Sequence, residues 1–237
     1  MSNYRIIKVG DKIELANKAT DLIVENIQSN LQEKRRVQIS LSGGSTPLSI
    51  YKLLSKKLVP WERIDVFLGD ERWVPENHEL SNALMVKNSL LSSYPGEKAS
   101  FYSVPTTELK NPQASAEFYE KLLMEKCSGD PPIFDLMLLG LGEDGHTASL
   151  FPYTDSLEVN NRWTTVSTGN NQERITLTHP VISASKKVIF LVSGSSKQIA
   201  LKRLIDPLED PNRTPSKLIK PLSCIDIIAD QSSAMLI

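Results

Sequence analysis

Cysteine is scarce in this chain. Its 237 residues include only Cys127 and Cys224, far apart and in no CxxC spacing. That argues against a disulfide scaffold or a cysteine-built zinc site and fits a reducing compartment. Excess charge is missing too: 27 Lys and Arg against 28 Asp and Glu leave a formal net charge of −1, so no broad nucleic-acid-binding face is expected. The longest apolar run, Leu136 to Gly142, falls far short of the roughly 20 residues needed to span a bilayer. The N-terminal MSNYRIIKVGDKIELANKA has no signal-peptide core and carries charges of both signs. A cytoplasmic protein with no membrane contact is therefore expected. No GxxxxGK[ST], HExxH, GxSxG or histidine cluster occurs, so nucleotide triphosphate binding, a metal centre and a serine esterase triad have no sequence support. Nor is there a fixed-period repeat or a Gly/Ser linker. The length suits one domain over 1–237, because domains typically run about 100–200 residues. Nothing identifies an interface, and a monomer is expected.

What is present is alternation. Short β-rich runs at Val37–Leu41, Ile64–Leu68, Phe134–Leu139, Val188–Val192 and Ile225–Ala229 are separated by helical patterns over about Asp11–Glu33, Leu48–Leu58, Glu79–Leu91, Gln113–Lys126 and Ile199–Ile205. Strands alternating with helices predict an α/β protein with a largely parallel sheet flanked by helices. Thr164–Ser167 and Arg174–Thr178 also read as strands, a small antiparallel addition to that sheet. Pro-rich Asp206 to Pro221 reads as a surface connection. Ligands of open parallel sheets bind outside the carboxyl ends of the strands. Here those ends carry Gly, Ser, Asp, Arg and His.

At the first of them, Ser42-Gly43-Gly44-Ser45-Thr46-Pro47 puts two glycines between a strand and a helix start, with Thr46 as N-cap and Pro47 at the first helical position. Free amides and the helix dipole there favour an anion; the same residues also fit a plain capped turn. Gly69-Asp70-Glu71-Arg72 offers carboxylates and a guanidinium clamp, or else a solvated turn. Gly140 to Gly145 contains G-x-G-x-x-G, but no acidic residue on a second strand follows at about 20 positions, Glu158 lying in a polar loop, so a dinucleotide site is not expected. His146, two residues after Asp144, instead reads as a base oriented by a carboxylate. His78 reads as leading into a helix and His179, before Pro180, as a turn residue. Arg174 and Lys197 are further cations near strand ends, and taken singly each also fits a solvated surface charge.

Together these segments resemble the glucosamine-6-phosphate isomerase/6-phosphogluconolactonase family across nearly the whole chain. The resemblance rests on LSGGSTP (Leu41–Pro47), GDERWVP (Gly69–Pro75) with His78 and Ser81-Asn82, GLGEDGHTASLFP (Gly140–Pro152), ERITLT (Glu173–Thr178) and the Ser193–Lys197 turn. It implies a modified Rossmann-like fold, no cofactor, and hydrolysis of 6-phospho-D-glucono-1,5-lactone in the oxidative pentose phosphate pathway. Position by position, it implies His146 as general base with Asp144 as its partner. Arg72, Arg174 and Lys197 would hold the sugar phosphate, with Gly43, Gly44, Ser45, Thr46 and Asp70 also lining the substrate pocket. The deaminase branch shares the DGH loop but usually continues toward AFNEP, whereas this chain continues Thr147-Ala148-Ser149-Leu150-Phe151-Pro152, as lactonases do. A glucosamine-6-phosphate deaminase/isomerase and a non-catalytic sugar-phosphate sensor are the alternatives. Lactonases often carry a tryptophan before the final aspartate; Cys224–Asp230 departs from that, which bears on the packing of the last strand.

Overall fold

The computed structural model describes residues 4–237; residues 1–3, where the N-terminal stretch read above begins, lie outside the described residues. In chain order the strands are β1 (Tyr4–Val9), β2 (Val37–Leu41), β3 (Ile64–Leu68), β4 (Asp70–Arg72), β5 (Ser100–Tyr102), β6 (Leu136–Gly140), β7 (Thr164–Gly169), β8 (Gln172–Leu177), β9 (Val188–Val192) and β10 (Ile225–Asp230). The helices are α1 (Lys12–Glu33), α2 (Ser45–Leu54), α3 (Asn82–Val86), α4 (Pro112–Lys126), α5 (His179–Ala184) and α6 (Gln198–Ile205). Seven strands form the main sheet in the order β1-β10-β9-β6-β2-β3-β5, all neighbours parallel. This is the expected modified Rossmann-like α/β arrangement.

The central strands are rich in apolar residues because helices cover both faces of the sheet: every residue of β2, β3 and β9 is buried, including the polar Gln38, Ser40 and Asp65. α1 starts where the Asp11 carboxylate accepts from the Ile13 and Glu14 amides, and it buries Leu15, Ala19, Ile23 and Ile27 along one stripe. The last strand, β10, lies between β1 and β9 and is buried along its whole length. The departure from the family pattern near Asp230 therefore leaves its pairing intact.

Four expectations are corrected. The expected small antiparallel addition is present, as a separate sheet β4-β8-β7 and not as an extension of the main one, so Asp70–Arg72, read as a strand-end turn, is a strand pairing with Thr176–Arg174. Gly69 is the joint: its N–H donates to Leu41 O of the main sheet at 2.9 Å, and its carbonyl accepts from Leu177 N of the small sheet at 2.9 Å. The helix expected from Glu79 begins at Asn82, because the Ser81 hydroxyl caps it by accepting from Leu84 N at 3.1 Å. His179 is the first residue of α5 and not a turn residue; the turn geometry that Pro180 favours is also the geometry of a first helical turn. The Asp206–Pro221 connection runs at the surface over its first part, where Asp206, Pro207 and Leu208 are exposed, but its later part packs inward. Thr214, Pro215, Ser216 and Ile219 are buried, and Ser216 N donates to Gly145 O at 3.1 Å.

Candidate active site

The loops at the carboxyl ends of β2, β6 and β9 and the small sheet converge on one cleft of about 260 Å³. After β2 the chain turns sharply into α2. Gly44 adopts φ +111° and takes the N-cap position, so Thr46 lies inside the first turn; the expected Thr46 cap is corrected because only glycine holds this positive φ without strain. No side chain caps α2, which leaves its first amides for a ligand or solvent. The Tyr51 hydroxyl clasps the loop from behind, donating to Ser42 O at 2.8 Å and accepting from Ser42 N at 3.0 Å. Gly43 is required by close approach, since a Cβ there would sit 2.0 Å from Asn82 Oδ1.

Asn82 lines the cleft and was assigned no role from sequence; the Ser-Asn pair after GDERWVP was the available signal. Its amide donates to Asp70 O at 2.9 Å. Glu71 holds this corner together: its buried carboxylate accepts from Asn82 N at 2.8 Å, Ala83 N at 2.7 Å and the Ser81 hydroxyl at 3.2 Å. Burial raises the Glu71 pKa despite those backbone donors. Asp70 accepts from the Ser149 hydroxyl at 2.6 Å and stands 3.9 Å from Arg174 Nη1.

Arg72 and Arg174 face each other across the β4–β8 pair, so both guanidiniums point from the same side of the small sheet. Arg72 Nη1 donates to Leu80 O at 2.6 Å, and the Nε of each arginine is buried with no protein partner. Burial lowers the pKa of Arg174, with Asp70 opposing the shift and Arg72 adding to it. Lys197 ends the turn before α6, its ammonium 3.8 Å from Glu143. All three cations line the cleft, and none is in a tight ion pair.

On the opposite wall, the loop after β6 is folded so tightly that a Cβ at Gly142 would lie 2.0 Å from His146 Nδ1. Gly145 has φ +94°, and a Cβ there would meet Thr214 at 2.8 Å. The Asp144 carboxylate accepts from His146 N at 3.0 Å and lies 2.6 Å from His146 Nδ1. Burial opposes its ionisation, but those two contacts outweigh it and hold its pKa below the ordinary value. An ionised Asp144 fixes the ring proton on Nδ1 and leaves Nε2 as a proton acceptor.

Of the residues singled out in the sequence, Gly43, Gly44, Ser45, Thr46, Asp70, Arg72, His146, Arg174 and Lys197 all line this cleft, and Asp144 reaches it through His146. His78 and His179 do not line it. Among the described residues, no group of three or more His, Cys, Asp or Glu is placed to hold a metal ion, and no helix is long and apolar enough to cross a membrane.

A cleft at the carboxyl ends of parallel strands, joining a carboxylate–imidazole pair to fixed cations, has the chemistry that suits an anionic small molecule. The family described as glucosamine-6-phosphate isomerases/6-phosphogluconolactonase matches residues 10–226, and the chain belongs to that family. The 6-phosphogluconolactonase of Nostoc sp. is 39% identical over 214 residues, covering 89% of each chain. That of Synechocystis sp. is 39% identical over 222 residues, covering 92% of each. Among solved structures, 6-phosphogluconolactonase from Trypanosoma cruzi superposes with a TM-score of 0.85 at 30% identity, over 99% of this chain and 97% of that one.

Proposed function

We propose that the chain is a 6-phosphogluconolactonase, hydrolysing 6-phospho-D-glucono-1,5-lactone to 6-phosphogluconate in the oxidative pentose phosphate pathway. The observation that carries this reading is the pairing, in one cleft, of the His146–Asp144 couple with three cations that lack a close carboxylate partner. Arg72, Arg174 and Lys197 take the substrate phosphate, and the amides at Gly43–Thr46 line the pocket beside it. This places the distant C1 carbonyl beside His146. Nε2 removes a proton from water as the water oxygen bonds to C1, and the carbonyl electrons move onto oxygen. As the oxyanion collapses, the bond from C1 to the ring oxygen breaks and the imidazolium returns its proton to that oxygen. Asp144 holds the ring and stabilises its charged form. The new carboxylic acid loses a proton to solvent. General base action of about 10²–10⁴-fold, together with positioning through the phosphate, is enough for an ester already labile in water.

The test is timed hydrolysis of freshly made 6-phosphogluconolactone, corrected for spontaneous decay, beside unphosphorylated gluconolactone. Fast turnover with preference for the phosphorylated lactone is expected. Ammonia release from glucosamine 6-phosphate would favour the deaminase, and phosphosugar binding without turnover would favour the sensor.

A further inference from the structure

Phe151 belongs to the TASLFP run, used above only as a mark of the family branch. Its side chain is nearly buried, at 8% exposure, and it touches both halves of the site. The ring centroid lies 4.5 Å from that of His146, with the planes inclined by 41°. On the same ring, the guanidinium carbon of Arg174 sits 5.3 Å from the centroid. The ring is wedged from outside by β7: a Cβ on Gly169 would lie 2.1 Å from Phe151 Cε2. One aromatic ring therefore contacts both the base and a neighbouring cation of the cleft, and a strand backbone sets its position.

The chemistry of the ring suits that place. A guanidinium is attracted to an aromatic face without using its N–H donors, so Arg174 is oriented while its donors stay available to a ligand. The Arg174 Nε has no protein partner, and the contact with Phe151 restrains the guanidinium where hydrogen bonds do not. The same ring limits the tilt of the imidazole without competing for Nε2.

We propose that Phe151 is a positioning residue that fixes the separation between the His146 base and the Arg174 end of the phosphate grip, and so sets the length of phosphorylated lactone that reacts. The proposal rests on the lactonase reading for its kinetic arm. Its binding arm, with inorganic phosphate as the probe, does not.

The variants are Phe151→Leu, which removes the ring, and Gly169→Ala, which leaves the ring but forces it to move. In each, kcat for 6-phosphogluconolactone is expected to fall and KM to rise, each by about three- to tenfold, the scale of a lost cation–π contact combined with a misplaced base. The phosphate concentration that gives half the maximal rise in Tm should increase by a similar factor. A ring that serves only as core packing predicts a different pattern: kcat reduced with the folded fraction, and KM and the phosphate response unchanged. That pattern, or no change, in Gly169→Ala overturns the proposal, and this variant keeps the test open if Phe151→Leu does not fold. Wild-type protein that fails to turn over the lactone overturns the functional reading instead, and the phosphate titration then decides the role of Phe151.

Discussion

At the amino-terminal rim of the main sheet, Asp65, Asp135 and Asp226 are buried, and each is closed off by cations. Asp226 takes Arg5 at 2.5 Å and Lys187 at 2.9 Å; Asp135 takes Lys34 at 2.7 Å and Lys186 at 3.0 Å; Asp65 takes Arg36 at 2.6 Å. The carboxyl-terminal rim has the same side-chain chemistry with the balance reversed. There Arg174 and Lys197 stand 3.9 and 3.8 Å from their nearest carboxylates, and two guanidinium nitrogens have no partner. Charges satisfied within the chain contribute to stability and have nothing left for a ligand. Charges held by the fold but left partly unpaired are available to one. The difference supports the carboxyl-terminal rim as the working end of the sheet without reference to any relative.

The comparison can be broken by moving function to one rim or stability to the other. The largest effect is expected for His146→Ala: kcat should fall by about 10²–10⁴-fold, the range for a lost general base, with Tm unchanged in a thermal melt. Near-normal turnover would remove His146 from the reaction. Asp226→Asn at the other rim should do the reverse. Two cations facing a neutral amide should lower unfolding stability by about 3 kcal/mol, the lower end for a broken buried pair because Arg5 is half exposed. Denaturant titration measures that loss, and kcat/KM per folded molecule should not change; a large kinetic defect would mean that the rims are coupled. Lys197→Ala should raise KM for the phosphorylated lactone about tenfold, equivalent to about 1.4 kcal/mol, and leave an unphosphorylated lactone unaffected.

The smallest effect sharpens the comparison, because one carboxylate at the carboxyl rim is closed. Asp230 accepts from the Ser193 hydroxyl at 2.5 Å, the Ser232 hydroxyl at 2.8 Å, Ser233 N at 2.8 Å and Gly194 N at 3.2 Å. Burial opposes its ionisation, but these donors prevail and lower its pKa from 3.8 to about 2. A depressed carboxyl stabilises the fold above its unfolded value and loses that contribution as pH falls through the folded one. Tm should therefore drop between about pH 4 and pH 2, and Asp230→Asn should flatten that limb. An unchanged acid limb in the variant would show that other carboxyls control it.

Legibility in the sequence followed burial. β2, β3 and β9 are legible because strands covered on both faces are rich in apolar and β-branched residues, whereas edge strand β1 is not, because Arg5 and Lys8 interrupt it. β5, only three residues long, gave no pattern. β4 is three charged residues and reads as a turn; only its pairing with β8 shows that Asp70 and Glu71 are buried. Gly44 displaced Thr46 as the cap because the turn geometry, not the hydroxyl, decided the position. Thr214 behind Gly145, Asn82 against Gly43 and Phe151 beneath Arg174 are contacts between distant segments, and nothing local announces them. The charged residues lining the cleft are nevertheless legible, because chemistry concentrated at strand ends is a pattern along the chain.

The facing of Arg72 and Arg174 across the small sheet has a consequence for how a reaction cycle ends. On the lactonase reading, ring opening leaves the phosphate as it was, so the proposed arginine grip would be the same on product as on substrate. What changes is the far end, where a neutral ester becomes a carboxylate beside the ionised Asp144. Like charge would then stand next to like charge, weakening the hold on product relative to substrate. On the proposed reading, the aspartate that steadies the imidazole would also favour departure of the product.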